Sequence, residues 1–138
     1  MSLETMSGSV QIQHLNGMSI LLVDDSPDYT NMMSLRLKKY GALVEVVDSG
    51  FKALEIVKSR PFDIVLMDIQ MPGMDGLKTI RIMRELGLKF PIITVTALKD
   101  IVLLSPAQTA DIAAHAGKPT DVPDLVETIL GVISIREL

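Results

Sequence analysis

Short apolar blocks alternate along this chain with segments in which apolar residues recur every three or four positions. Uninterrupted apolar blocks of this length are typical of strands that are buried on both faces, as in a parallel sheet covered by helices. The sequence predicts five such strands, over residues 19–23, 42–47, 64–67, 91–96 and 112–116.

The segments with helical periodicity lie between the predicted strands and after the last one. They predict helices over residues 27–40, 51–59, 74–86 and 121–134. Ser26 followed by Pro27 is a typical helix start, with serine as the N-cap and proline in the first turn. Residues 97–111 are less regular, because Pro106 disfavours helical geometry at Ser105 and splits or ends a helix there.

Strands that alternate with helices predict an α/β fold, a doubly wound parallel sheet with right-handed crossovers and helices on both faces. A chain of 138 residues with 48% hydrophobic residues is long enough for one domain with a buried core. We predict that this domain covers residues 18–138. Residues 1–17 are polar and show no periodicity, so we expect a disordered leader, part of it added for expression.

The composition argues against several classes of protein. The chain contains no cysteine, which excludes disulfides, thiolate catalysis and cysteine-bound zinc. A net charge of −4 without a basic run, and an aromatic content of 4%, argue against a nucleic-acid surface. No apolar run approaches the roughly 18 to 20 residues of a transmembrane helix, and the N-terminus lacks the features of a secretory signal. We therefore expect a cytoplasmic protein that contacts neither nucleic acid nor membrane through this chain.

Residues that can carry chemistry lie at the ends of four of the predicted strands: Asp24 and Asp25, Asp68, Thr96 and Lys118. The carboxyl ends of parallel strands share one edge of the sheet, so these residues should meet there. Taken alone, Asp68 could be a nucleophile, a metal ligand or a cap, and Asp24 and Asp25 could cap the first helix. Three carboxylates would repel one another unless Mg²⁺ and a lysine ammonium relieved the repulsion, and such a site suits phosphoryl transfer.

Four short motifs occur in order, at compatible spacing, between Met18 and Ser134. They are Val23-Asp24-Asp25-Ser26-Pro27, the segment from Met67 to Gly76, the segment from Thr94 to Ala97, and Gly117-Lys118-Pro119. Together they resemble the receiver domain of two-component response regulators. The resemblance implies a flavodoxin-like fold in which the five parallel strands lie in the order 2-1-3-4-5.

By this resemblance Asp68 is the phospho-acceptor, and its donor is a phosphohistidine on a sensor histidine kinase or a histidine phosphotransfer domain. Mg²⁺ would be the cofactor, bound by Asp24, Asp25 and Asp68 together with the backbone carbonyl of Gln70. The chain would then be a signalling switch and not an enzyme, with self-phosphorylation and autodephosphorylation as its only chemistry. We expect a monomer or a weak dimer.

The same resemblance assigns Thr96 and Lys118 to contacts with the phosphoryl group, and it makes the Lys118–Pro119 peptide bond cis. Movement of Thr96 toward the phosphoryl group would change an output surface formed by the fourth helix, the fifth strand and the last helix. His115 departs from the pattern, because receivers usually carry tyrosine or phenylalanine three residues before the lysine. It is either an ordinary exposed histidine or a modified switch residue.

Other functions are open on the residues alone. A Mg²⁺-dependent phosphatase with an aspartyl nucleophile would require a second acid two residues after Asp68, where the chain has Gln70. A nucleotide- or flavin-binding domain would require a glycine-rich loop after the first strand, where residues 24–27 are Asp-Asp-Ser-Pro. A degenerate receiver used as a scaffold would lack a site residue, and none is missing. The segment from Leu15 also resembles the start of receivers in hybrid sensor kinases, so the chain is either a stand-alone receiver or an excised segment.

Overall fold

The structure, a computed structural model, describes residues 14–136, apart from the side chains of Leu98 and Arg136. No helix within this range is both long and apolar enough to cross a membrane. The strands and helices of this range are, in chain order, β1 (Ser19–Val23), α1 (Pro27–Lys39), β2 (Leu43–Val47), α2 (Gly50–Ser59), β3 (Ile64–Met67), α3 (Gly76–Glu85), β4 (Ile92–Thr96), α4 (Leu98–Ile101), α5 (Pro106–Thr109), β5 (Ala114–Gly117) and α6 (Val122–Arg136).

The five strands form one parallel sheet in the order β2-β1-β3-β4-β5. The register places Val23 beside Met67, Met67 beside Thr94, and Thr96 beside Gly117. The carboxyl ends of β1, β3, β4 and β5 therefore share one edge of the sheet. The predicted fold class and strand order are confirmed.

The core has two layers, one on each face of the sheet. On one face the strands pack against α1 and α6, through residues such as Met33 and Ile129. On the other face they pack against α2 and α3, through residues such as Val57 and Met83. Because β1, β3 and β4 are covered on both sides, burial does not alternate along these strands, and even Thr94 and Thr96 of β4 are buried.

The less regular segment between β4 and β5 forms two helices of four residues each. Ser105 is the N-cap of α5, where its hydroxyl accepts a hydrogen bond from the Gln108 N–H, and Pro106 lies in the first turn. The predicted break at Ser105-Pro106 is therefore present. Val102 and Leu103, between the two helices, are 70% and 81% exposed, so these two apolar side chains lie outside the core.

The domain begins earlier than residue 18, the boundary expected from the sequence. Leu15 is buried in the core, and its N–H donates to the Tyr40 carbonyl at 2.8 Å. The Gly17 N–H likewise donates to the Gly41 carbonyl at 3.0 Å. Residues 14–17, assigned above to the leader, thus belong to the fold, and the remainder of that leader, residues 1–13, lies outside the described part of the chain.

Two elements begin two residues later than predicted, in each case because of a turn. Helix α3 begins at Gly76 and not at residue 74, because Asp75 is its N-cap and accepts a hydrogen bond from the Lys78 N–H at 2.8 Å. Strand β5 begins at Ala114 and not at residue 112. The Ile112 N–H donates at 3.1 Å to the carbonyl of Thr109, so Ile112 still belongs to the turn that follows α5.

Candidate functional site

Two acids stand directly after two neighbouring central strands. Asp24 follows β1, and its N–H donates to the Val47 carbonyl at 3.2 Å. Asp68 follows β3, and its N–H donates to the Val23 carbonyl at 2.9 Å. These bonds continue the ladders of the sheet by one residue, so the sheet itself determines where both carboxyl groups leave it.

Asp24, Asp25 and Asp68 form a carboxylate cluster at this edge. One oxygen from each of the three side chains lies within 4.8 Å of the others. Asp24 and Asp68 are buried, whereas Asp25 is exposed. The N-cap of α1 is Ser26, and Asp24 accepts a hydrogen bond from the Ser26 N–H at 2.9 Å. Helix capping therefore leaves most of the acidic cluster unexplained.

Lys118, from the loop after β5, brings a cation into this cluster. Its Nζ atom donates a short hydrogen bond to Asp24 Oδ2 and lies 3.4 Å from Asp68 Oδ2. The ammonium thus bridges the two buried carboxylates. The Lys118–Pro119 peptide bond is cis, as the resemblance implies.

The surroundings of the Asp68 carboxyl act on its pKa in opposite directions. Burial raises its pKa above the usual value, and the nearby Asp24 carboxylate raises the pKa further. The Lys118 ammonium and a hydrogen bond from the Thr96 hydroxyl both lower this pKa. Lysine and threonine thereby favour the ionised carboxylate, which is the form that can attack a phosphoryl group or bind a metal.

The loop after Asp68 folds back tightly against Asp68 itself. The Gly76 N–H donates to the Ile69 carbonyl at 2.8 Å, and a Cβ atom at position 76 would lie 2.1 Å from the Asp68 carbonyl oxygen. Only glycine fits such a close approach of two backbone segments. The Gln70 N–H donates to Asp68 Oδ1 at 3.4 Å, while the Gln70 side chain points away and donates to Asp100 Oδ1 at 3.0 Å.

The three acids fit a magnesium ion. They offer only carboxylate oxygens, the ligand type that Mg²⁺ prefers, and these oxygens lie close enough together to share one ion. Three formal negative charges also exceed the single positive charge of Lys118, so a divalent cation would restore the balance. The participation of the Gln70 carbonyl stays a prediction.

His115 lies outside the carboxylate cluster, on β5. Its Nδ1 atom forms a short hydrogen bond with Thr94 Oγ1, directly opposite it on β4. The ring is half-buried, and burial lowers the pKa of His115 below its ordinary value. The ring therefore faces the neighbouring strand and is not an ordinary exposed histidine.

Two side chains that the sequence did not single out, those of Tyr29 and Thr120, lie beside Lys118. Tyr29, in the first turn of α1, places its ring 4.5 Å from Lys118 Nζ, measured to the ring centroid. Its hydroxyl lies 2.7 Å from Thr120 Oγ1, in the loop that carries Lys118. The position of Tyr29 four residues after Asp25, within the first turn of the helix, was the signal available in the sequence.

Comparison with known proteins shows the family of the chain. Residues 20–130 match the family described as the response regulator receiver domain. The sensor histidine kinase GacS of Pseudomonas protegens is 40% identical over 83 residues, which are 56% of this chain and 9% of that kinase. The transcriptional regulatory protein ZraR of Escherichia coli O157:H7 is 31% identical over 114 residues, which are 83% of this chain and 26% of that regulator. The chain thus spans only a small part of the length of these relatives.

A solved structure extends the likeness to three dimensions. It is the response regulator protein TrrA from Thermotoga maritima in complex with Mg(2+)-BeF, which is 26% identical to this chain with a TM-score of 0.76. The similarity covers 83% of this chain and 98% of that one. With a parallel sheet in the order 2-1-3-4-5 and an acidic cluster at its carboxyl edge, this chain belongs to the response regulator receiver domain family.

Proposed function

We propose that Asp68 accepts a phosphoryl group from a phosphohistidine on a sensor histidine kinase or a histidine phosphotransfer domain. The observation that carries this proposal is the buried Asp68 carboxylate, which shares one edge of the sheet with two further acids and the Lys118 ammonium. In the transfer an Asp68 oxygen attacks phosphorus, the P–N bond to the imidazole breaks, and the imidazole leaves and takes up a proton.

Each residue of the cluster has a distinct part in this proposal. Asp24, Asp25 and Asp68, with the Gln70 carbonyl, would hold Mg²⁺, and the ion would supply positive charge to the oxygens of the transferred group. Lys118 supplies a second cation beside Asp68. The Thr96 hydroxyl, which bonds Asp68, can turn its proton toward a phosphoryl oxygen. The residues thus orient the acceptor and neutralise developing charge.

The direct test is labelling of the purified chain by acetyl phosphate in the presence of Mg²⁺. We expect one acyl phosphate for each chain, and removal of divalent cations with EDTA should lower the rate at least about tenfold, because the acids then lose their metal. Mass spectrometry of the intact protein measures both quantities. Labelling that does not require Mg²⁺ would contradict the metal assignment, and steady turnover of a phosphomonoester would favour a phosphatase.

The wider setting of the chain is part of the same proposal. The chain matches both a protein named as a sensor histidine kinase and one named as a transcriptional regulatory protein, so a receiver segment of a hybrid kinase stays an alternative to a stand-alone receiver. A cytoplasmic location, a monomeric or weakly dimeric state and the absence of nucleic-acid contacts stay predictions from the composition. The length of the parent gene would distinguish a segment from a stand-alone protein.

We further propose that Thr96 and His115 transmit the modification to the surface of the domain. Thr96 lies on β4 and His115 lies on the neighbouring strand β5. In the register of these strands, Thr94 pairs with His115 and Thr96 with Gly117. Phosphorylation would draw the Thr96 hydroxyl toward Asp68. His115 already faces inward through its bond to Thr94, so hydrogen bonding would take over the part that aromatic packing has in other receivers.

The half-buried imidazole of His115 predicts a pH dependence of stability. Burial lowers the pKa of His115 below 6.5, so the unfolded chain takes up this proton at a higher pH than the folded protein. The contribution of His115 is fully present above pH 6.5 and is lost as the pH falls through the folded-state pKa. Chemical denaturation at pH 7.5 and 5.5 should show a larger loss of unfolding free energy for wild type than for His115→Gln. The exposed His14→Gln variant serves as control, and equal losses in wild type and His115→Gln would reject the prediction.

A further inference from the structure

Tyr29 lies between the first helix of the domain and the loop that carries the site lysine. Its N–H donates to the hydroxyl of the N-cap Ser26 at 3.4 Å, so the residue belongs to the first turn of α1. From this turn the side chain extends across 91 positions of sequence to Thr120, in the loop after β5. The Tyr29 side chain thus connects the start of α1 with the loop after β5, next to the acidic cluster.

The direction of the hydrogen bonds around Thr120 can be worked out. The Thr120 hydroxyl donates its single proton to the Gly117 carbonyl at 2.8 Å. In the 2.7 Å contact with Tyr29, threonine must therefore accept and tyrosine must donate. Burial is the main cause that raises the pKa of Tyr29 to about 12, so this donor keeps its proton at neutral pH. The result is a fixed chain of bonds from the Tyr29 hydroxyl to Thr120 and on to the backbone of Gly117.

The face of the Tyr29 ring also contacts the Lys118 ammonium. Lys118 Nζ lies 4.5 Å from the ring centroid, within the range of a cation–π interaction. The lysine side chain is only 24% exposed, so water screens this contact incompletely. The ammonium thus has three neighbours, namely the two carboxylates of Asp24 and Asp68 and the ring of Tyr29.

We propose that Tyr29 is a positioning residue for Lys118. The ring holds the ammonium beside Asp68, and the hydroxyl fastens the ring to the loop from which Lys118 projects. Mg²⁺ bound to the acids would compete with the Lys118 ammonium for the Asp24 carboxylate. It would not compete for the contact between the ammonium and the ring, because the ring carries no net charge. Tyr29 would therefore keep the Lys118 ammonium in place when Mg²⁺ binds to the carboxylates that the ammonium otherwise contacts. This inference rests on the proposed phosphoryl transfer to Asp68.

A purely structural role for Tyr29 would give different results. The residue also packs against the core on the α1 side of the sheet, so its loss will cost some stability in either case. Tyr40 offers a matched control, because it packs against the same core cluster at the other end of the same helix. A Tyr40→Leu variant removes a ring of equal size far from Lys118. Thermal unfolding of each variant measures the general cost.

The first measurement is spectroscopic and needs no phosphodonor. An aromatic ring face shifts the NMR signals of protons that lie above it, so the Lys118 ε-methylene protons should resonate upfield in wild type. We expect Tyr29→Phe and Tyr40→Leu to retain this shift and Tyr29→Leu to lose it. An unchanged Lys118 signal in Tyr29→Leu would overturn the contact and with it the inference.

The second measurement is the initial rate of acetyl phosphate labelling at saturating Mg²⁺. We expect Tyr29→Leu to lower the rate about three- to tenfold, the loss of one partly desolvated cation–π contact. Tyr29→Phe retains the ring and should stay within about twofold of wild type. Tyr29→Phe and Thr120→Val remove the same hydrogen bond, so the double variant should be no slower than the slower of the two.

The outcomes separate this inference from the proposed function. A wild-type rate in Tyr29→Leu, or an equal loss in Tyr40→Leu, would overturn the positioning role. Absence of labelling in wild type would overturn phosphoryl transfer to Asp68. In that case the Lys118 signal would still decide whether Tyr29 holds the ammonium, because it is measured without phosphodonor.

Discussion

Replacement of Asp68 by asparagine should reduce labelling by acetyl phosphate to background. The amide has nearly the same size as the carboxylate, but it lacks the negative oxygen that attacks phosphorus and cannot form an acyl phosphate. Asp24 is not expected to substitute, because its Oδ2 atom is bonded to Lys118 and its Oδ1 atom accepts a hydrogen bond from the Ser26 N–H. We therefore expect loss of the modification without loss of the fold.

The matched control for this variant is Asp75→Asn. Asp75 lies seven positions further along, is exposed, and caps α3 through a 2.8 Å bond from the Lys78 N–H. Asparagine is an equally good N-cap, so this variant should be as stable as wild type and labelled at the same rate. Borohydride reduction followed by peptide mapping locates the modified residue. Labelling of Asp68→Asn at the wild-type rate would remove Asp68 as the acceptor.

Replacement of Lys118 by methionine should change two measured quantities in opposite directions. Loss of a cation aimed at developing charge should slow labelling about 100- to 1000-fold. The same change leaves the Asp24 and Asp68 carboxylates without their ammonium partner, so a bound cation meets more uncompensated negative charge. Mg²⁺ affinity, measured by calorimetric titration, should therefore rise, on the order of tenfold.

Lys52→Met provides the control for a general effect of removing a lysine. Lys52 forms an exposed ion pair with Asp48 at 3.0 Å, on the surface of the same domain. An exposed pair of this kind contributes little to stability, so labelling and Mg²⁺ affinity should both stay at wild-type values. A fall in Mg²⁺ affinity in Lys118→Met, or labelling at the wild-type rate, would contradict the part proposed for Lys118.

The fold could be predicted because its main signals are local. The blocks that form β1 and β3 are continuous in sequence, and burial on both faces of a parallel sheet requires that pattern. Asp24 and Asp68 directly follow these strands, so the topology alone brought their carboxyl groups to one edge. The break at Ser105-Pro106 was equally readable, because proline restricts the residue before it whatever the tertiary context.

Element boundaries were less predictable, because they depend on partners distant in sequence. Leu15 has polar neighbours on both sides, His14 and Asn16, and its inclusion in the domain depends on the Tyr40 carbonyl. The start of β5 depends on the turn that retains the Ile112 N–H for Thr109. The periodicity of apolar residues along the chain predicts neither of these two hydrogen bonds.

What the sequence by itself determined was the α/β class, the order of the elements and the set of acids and lysine that meet at the carboxyl edge. Only the tertiary structure decided how these groups contact one another: that Lys118 bridges Asp24 and Asp68, that Tyr29 faces the ammonium, and that His115 turns toward Thr94. The physical reason is that strand burial and helix periodicity produce patterns among residues that are close together in the sequence. A side-chain contact, by contrast, depends on the direction and reach of groups that only the packed sheet and helices bring within a few ångströms.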